Sequence, residues 1–276
     1  MKSNTTTILL VIILLIGVSL LLYPSVSNYW NSMHQAHLVT SYAEAIVQID
    51  DDQYTEIWNA ARAYNERLAE DGTNWVMSKE HRADYMSQLK FADGVISCIE
   101  IPRINCKLPI YHGTGNAVLQ VAIGHMECSS LPVGGPSTHC VLSGHRGLPS
   151  ALLFSRLDQV EEGDVFYLQT MDEVLTYEVE QILIVLPDEM EYLDIQEGRD
   201  LCTLITCTPY GVNSHRLLVR GHRIATQEAA VVRRVSADAR LIAPTLVAPF
   251  VAMPILLVLL IPLLLPRKRP ASRKKS

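Results

Sequence analysis

The stretch Thr203-Leu204-Ile205-Thr206-Cys207-Thr208-Pro209-Tyr210-Gly211 is an apolar, β-branched run that stops at a Pro/Gly turn, and Ser214-His215-Arg216-Leu217-Leu218-Val219-Arg220 resumes it. The pattern predicts a strand, a tight turn and a returning strand, with one thiol at the end of the first and one guanidinium beside it. Upstream, Leu142-Ser143-Gly144-His145-Arg146-Gly147 ends another apolar run with an imidazole. Nucleophile, acid/base and fixed cation are the parts of thiol chemistry.

Outward from this stretch the chain has two textures. Over 33–89 apolar residues recur three and four apart, as in Ile57, Ala61, Tyr64 and Leu68, which predicts helices. After Gly94, short β-like runs alternate with Gly, Pro and Asp turns. Strands are predicted at 95–101, 107–111, 119–123, 138–143, 165–169, 175–186, 201–206 and 217–222, with a short helix at 149–157 that turns Leu152, Leu153 and Leu157 inward. Eight short strands with irregular connections make a mainly β fold, a closed or nearly closed barrel behind a helical subdomain.

Both ends are apolar. Residues 8–22 are uncharged behind Lys2, short for a membrane helix and also compatible with a signal core, with Ser25-Val26-Ser27 as a small-x-small cleavage site. Residues 241–265 carry no charge and are long enough to span despite Pro244, Pro249, Pro254 and Pro262. The basic run from Arg267 to Lys275 follows, and such residues stay on the cytoplasmic side. The expected division is a membrane segment at 1–30, a helical and lid-like region at 31–92, a catalytic barrel at 93–224, a linker at 225–240, a second span at 241–265 and a basic tail at 266–276. Two spans put both termini in the cytoplasm and the domain between them outside.

That middle region holds 16 basic against 29 acidic residues, a charge near −13. An outward-facing acidic domain is poorly suited to nucleic acid, since phosphate binding needs a basic face. Six cysteines (98, 106, 128, 140, 202 and 207) show neither CxxC nor another metal spacing, so no metal or cofactor is expected. Cys98, Cys140 and Cys202 lie in apolar runs and read as small buried hydrophobes. Cys202 and Cys207 are five apart and point to opposite faces of one strand, so they do not pair. Asp51 and Asp52, like Glu161 and Glu162, read as solvated turn or helix faces.

The run Thr203-Leu204-Ile205-Thr206-Cys207 resembles the TLxTC signature of sortases, the membrane-anchored cysteine transpeptidases of Gram-positive bacteria. Leu142-Ser143-Gly144-His145 is similar to their histidine motif, and Arg216 falls where the family's arginine does. Ile99-Glu100-Ile101-Pro102, Leu108-Pro109-Ile110-Tyr111-His112-Gly113-Thr114, Ser130-Leu131-Pro132-Val133-Gly134-Gly135 and Thr208-Pro209-Tyr210-Gly211 resemble the pilus-assembling class C, as does the second apolar span. One departure stands out. Class C lids commonly carry an Asp-Pro-aromatic triplet, and 70–78 has none; Trp75 is the aromatic there, either plugging the cleft or packing a helix.

The resemblance implies a sortase-type barrel flanked by two transmembrane helices, and a division of labour. Cys207 attacks the Thr carbonyl of an LPXTG-like sorting signal, breaking the Thr-Gly bond and forming a thioacyl enzyme. His145 protonates the leaving amine and deprotonates the incoming one. Arg216, always charged, holds substrate or the oxyanion, with Thr206 and the N–H of Thr208 as helpers. The acceptor is a lysine amine of the next pilin or, in the rival reading, an amine of the peptidoglycan precursor to which surface proteins are anchored. A catalytically silent scaffold that recruits pilins is the reading from another class, and a plain cysteine protease a fourth. Eight other histidines compete with His145, and Arg220 and Arg223 compete with Arg216. Arg146 reads as a surface or loop residue.

Overall fold

In the computed structural model, residues 2–72, 75–76 and 78–226 are described. Helix α1 (Lys2–Val47) runs unbroken through the predicted boundary near residue 30, with Pro24 inside it. Its first half is long and apolar enough to cross a membrane; the second apolar stretch, 241–265, lies outside the described residues. The second half of α1 packs on the barrel through Tyr42 and Ile46.

Helix α2 (Asp51–Asp71) begins where the Asp50 carboxylate accepts from the Gln53 N–H at 2.8 Å, and Asp51 and Asp52 sit in its first turn. There negative charge complements the helix dipole, so this acidic pair is a helix start as well as a solvated face. Ala61 and Tyr64 are buried from the predicted apolar stripe. Ser78 caps α3 (Lys79–Ser87). Its Tyr85 is fully buried, with the hydroxyl 2.8 Å from His125 Nδ1 and accepting from the Gly113 N–H at 3.0 Å.

The strands are β1 (Val95–Ile101), β2 (Cys106–His112), β3 (Ile123–His125), β4 (Thr138–Ser143), β5 (Val165–Thr170), β6 (Glu173–Val185), β7 (Asp200–Thr208) and β8 (His215–Ile224). They close into a barrel in the order β1-β2-β3-β4-β7-β8-β6-β5. Strand β2 runs parallel to β3 and β4 parallel to β7; the other pairs are antiparallel. Alternation along each strand splits its side chains. Cys140, Leu142, Cys202, Leu204, Leu217 and Val219 fill the interior, while Val141, Ile205 and Leu218 build a smaller cluster on the outer face with Val185 and Leu193. Each large apolar residue buried this way contributes roughly 1.5–3 kcal/mol.

Two predicted elements differ. The strand predicted at 119–123 is instead a helical turn, α4 (Asn116–Leu119), followed by β3. A short apolar run does not fix its own period, and the helical turn lets Leu119 lie over Gly124. The helix predicted at 149–157 is replaced by turns and a 3-10 segment at Leu157–Gln159. Helix α1 takes the backbone groups a helix would use: Asn28 Oδ1 accepts from the Leu152 N–H and Asn31 Nδ2 donates to the Ser150 carbonyl. Leu153 and Leu157 do face inward, but Leu152 is exposed.

Candidate active site

Strands β7 and β8 place the first two residues. Cys207 and Arg216 are direct partners in the antiparallel ladder, so their side chains leave the same face of the sheet. That face is the outer one, shared with Ile205 and Leu218. Cys207 is half-buried, whereas the other five cysteines are buried. Among the described residues, Arg216 Nη1 donates to the carbonyls of Asn213 (3.2 Å) and His215 (3.1 Å), which aims the guanidinium along the strand end.

Strand β4 brings the imidazole. Its parallel register with β7 pairs Ser143 with Ile205, so the segment that carries His145 leaves β4 alongside the end of the Cys207 strand. Two hydrogen bonds continue that contact past the strand end and a third closes the loop itself. The Gly144 N–H donates to the Ile205 carbonyl (3.0 Å), the Thr206 hydroxyl donates to the Gly144 carbonyl (2.8 Å), and the Phe154 N–H donates to the His145 carbonyl (3.1 Å). Gly144 makes this approach feasible: a Cβ there would lie 2.6 Å from both Phe154 and Ile123, which are fully buried.

The side chains of Thr206 and Thr208 do not share the Cys207 face. Both alternate to the side opposite Cys207 and are buried. The Thr206 hydroxyl, expected to help the oxyanion, donates to the Gly144 carbonyl and so ties the loop that carries His145 to β7. The Thr208 hydroxyl accepts from Arg146 Nη1 at 3.2 Å. Arg146, read from sequence as a surface residue, is largely buried and also binds Asp158 through Nη2 at 2.7 Å. It brackets the histidine loop to the cysteine strand. Its place directly after His145 was the available signal, and nothing in the sequence showed that the side chain turns inward. Tyr210 lies against the positive-φ Gly147 and closes the same seam.

The rivals have other work. Arg220 shares the Arg216 face but pairs with Glu180 at 3.0 Å. Glu180 also binds Arg199 at 2.6 Å, and these cations hold its carboxyl below the usual range despite the opposing effect of burial. His125 is buried against Tyr85 and Ser130. His139 is buried between Thr203 and the Asp194 carbonyl, and burial lowers its pKa to about 4. Neither can exchange protons with a substrate on the outer face.

Trp75 packs on the outer-face cluster that includes Ile205, two residues before Cys207 on the same side of β7. It also lines a cavity of about 410 Å³ with Met126, Glu127 and Met190. Helix α3, which follows it, is tied down by an ion pair between Arg82 and Glu127. Among the described residues, no cluster of His, Cys, Asp or Glu is arranged to hold a metal.

A closed eight-stranded barrel with a thiol and a guanidinium paired across two strands, and a histidine on the loop that leaves the adjoining strand, has the parts of a thiol enzyme of the acyl-transfer type. Comparison with known proteins gives the family. Residues 99–224 match the sortase domain. Sortase D of Bacillus subtilis is 30% identical over 148 residues, 52% of this chain and 70% of that protein. Sortase A of Streptococcus agalactiae is 36% identical over 117 residues, 41% of this chain and just under half, 47%, of that protein. Among solved structures, sortase C1 from Streptococcus agalactiae superposes with a TM-score of 0.68 at 49% identity, covering 69% of this chain and 100% of that one. The chain belongs to the sortase family, the membrane-anchored cysteine transpeptidases, and its structural neighbours include class C members.

Proposed function

We propose that this sortase polymerises pilin subunits. The observation that carries the chemistry is the cross-strand pair of Cys207 and Arg216 with His145 held in register beside it. In this reading the Cys207 thiolate attacks the Thr carbonyl of an LPXTG-like signal, and the C–N bond to Gly breaks as His145 donates a proton to the leaving amine. Arg216 and the Thr208 N–H face the developing oxyanion, while Thr206 and Arg146 hold the histidine loop at the distance the proton transfer needs. A lysine amine of the next pilin then gives up a proton to His145 and displaces the thiol, leaving an isopeptide bond. No cofactor enters any step.

Likeness to class C structures supports the lysine acceptor over a peptidoglycan amine, and the apolar first half of α1 supports a membrane-anchored enzyme with its barrel outside. Trp75, seated on the outer-face cluster, supports a lid role without the Asp-Pro-aromatic triplet. The test is a competition: the full chain in detergent, a sorting-signal peptide, and an equimolar lysine-bearing pilin domain and peptidoglycan stem peptide. Isopeptide product on the pilin lysine is expected; transfer to the stem peptide alone would establish anchoring instead, and hydrolysis alone would establish a protease.

A further inference from the structure

Cys140 on β4 and Cys202 on β7 are direct partners in the parallel ladder. Both side chains point into the barrel interior, both are fully buried, and both carry free thiols. Neighbouring strands lie about 4.8 Å apart, inside the roughly 4.4–6.8 Å Cα separation that a disulfide spans. Burial would raise the Cys140 thiol, but the neighbouring Cys202 and His125 side chains hold it below the ordinary thiol range, while burial drives Cys202 up. The pair therefore has a built-in nucleophile and a built-in proton holder.

Position gives the pair its meaning. Cys140 lies five residues before His145 and Cys202 five before Cys207, on the two strands whose register sets the active site. The catalytic thiol leaves the opposite face of β7 and cannot compete for either partner.

We propose that Cys140 and Cys202 form a disulfide in the mature protein, a covalent staple that fixes β4 against β7 and with it the spacing of His145 and Cys207. Two S–H bonds break and one S–S bond forms. The two electrons and two protons pass to the disulfide of an extracytoplasmic thiol oxidoreductase, which becomes a dithiol. Because neither sulfur is accessible in the closed barrel, exchange takes place as the strands assemble, and the finished bond is shielded from reductant. The inference rests on the outward placement of the barrel.

The test is thiol trapping on the full chain. Cells are quenched in acid, the protein is denatured and alkylated without reductant, and peptides are read by mass spectrometry. A linked Cys140–Cys202 peptide with Cys207 alkylated is expected, as is a melting temperature that reductant present during refolding lowers by about 5–10 °C in the native chain and not in Cys140→Ala/Cys202→Ala. Impermeant maleimide on intact spheroplasts separates the premises. If Cys207 labels from outside while Cys140 and Cys202 are both alkylated, the disulfide is overturned; if Cys207 does not label even in Trp75→Ala, though it labels once the membrane is opened, the outward placement fails. Refolding the purified chain in a glutathione redox buffer decides the pair wherever the domain resides, since two free thiols there overturn it.

Discussion

Cys207 and Arg216 face one another across β7 and β8, each at the end of its strand where the ladder gives way to the Pro209-Tyr210-Gly211 turn. A thiol and a guanidinium fixed as cross-strand neighbours need no loop closure to meet. The rigidity of the barrel sets the geometry, and His145 is carried to the same point by the parallel strand on the other side.

Arg216→Lys keeps the charge but loses the planar fork, and with it the bonds to both the Asn213 and His215 carbonyls that orient the group. The expected loss in kcat is about 10²–10³, with KM for the sorting peptide changed much less, because an oxyanion contact acts in the transition state. Steady-state kinetics check this; a change in KM alone would assign Arg216 to binding.

Gly144→Ala puts a methyl group against Phe154 and Ile123 inside a closed core. Overpacking of this kind costs about 1–3 kcal/mol, and the strain falls on the segment that carries His145. Thermal melts together with acylation rates are expected to show activity falling by a larger factor than stability explains.

Trp75→Ala removes the aromatic ring from the outer-face cluster beside Cys207. Alkylation of Cys207 by a bulky maleimide and the rate of peptide acylation are both expected to rise several-fold. Unchanged rates would leave Trp75 as a packing residue and remove the lid reading.

Buried His139 has a pKa lowered to about 4 from an ordinary value near 6.5, so folding favours its neutral form. The stability it contributes is complete above about pH 6.5 and is lost as pH falls toward 4, where the unfolded chain binds a proton the fold refuses. The difference corresponds to roughly 3 kcal/mol. His112, lowered to about 4 by burial and by His125, acts in the same direction. Melting temperature measured from pH 7 to 4 is expected to drop steeply in the native chain and less steeply in His139→Gln.

Legibility tracked locality. The barrel strands could be read because β-branched runs end at Gly and Pro, and seven of the eight predicted runs lie largely on observed strands, whereas 119–123 meets β3 only at Ile123. The 119–123 segment could not, because a short, mostly apolar run fits a helical turn as well as a strand. The 149–157 segment failed for a distant reason: α1, more than a hundred residues away, binds the backbone that would otherwise coil. At the site, Cys207, His145 and Arg216 are named from motif and strand parity; the ladder pairs Cys207 with Arg216, and the Gly144 backbone beside His145 is bonded to the Cys207 strand. Arg146 and Thr206 act through contacts across 62 residues of chain, and such pairings leave no local pattern. The pairing of Cys140 with Cys202 was hidden in the same way, since each alone reads as a buried hydrophobe.

The most direct test of the account is intact-mass analysis of the full chain, mixed with an LPXTG-type peptide and quenched in acid, beside Cys207→Ala. The account predicts a mass increase equal to the peptide's acyl portion, mapped to Cys207, absent in the variant, and removed when a lysine-bearing pilin domain is added. An adduct that persists in Cys207→Ala, or no adduct in either chain even with Trp75→Ala opening the groove, would contradict it.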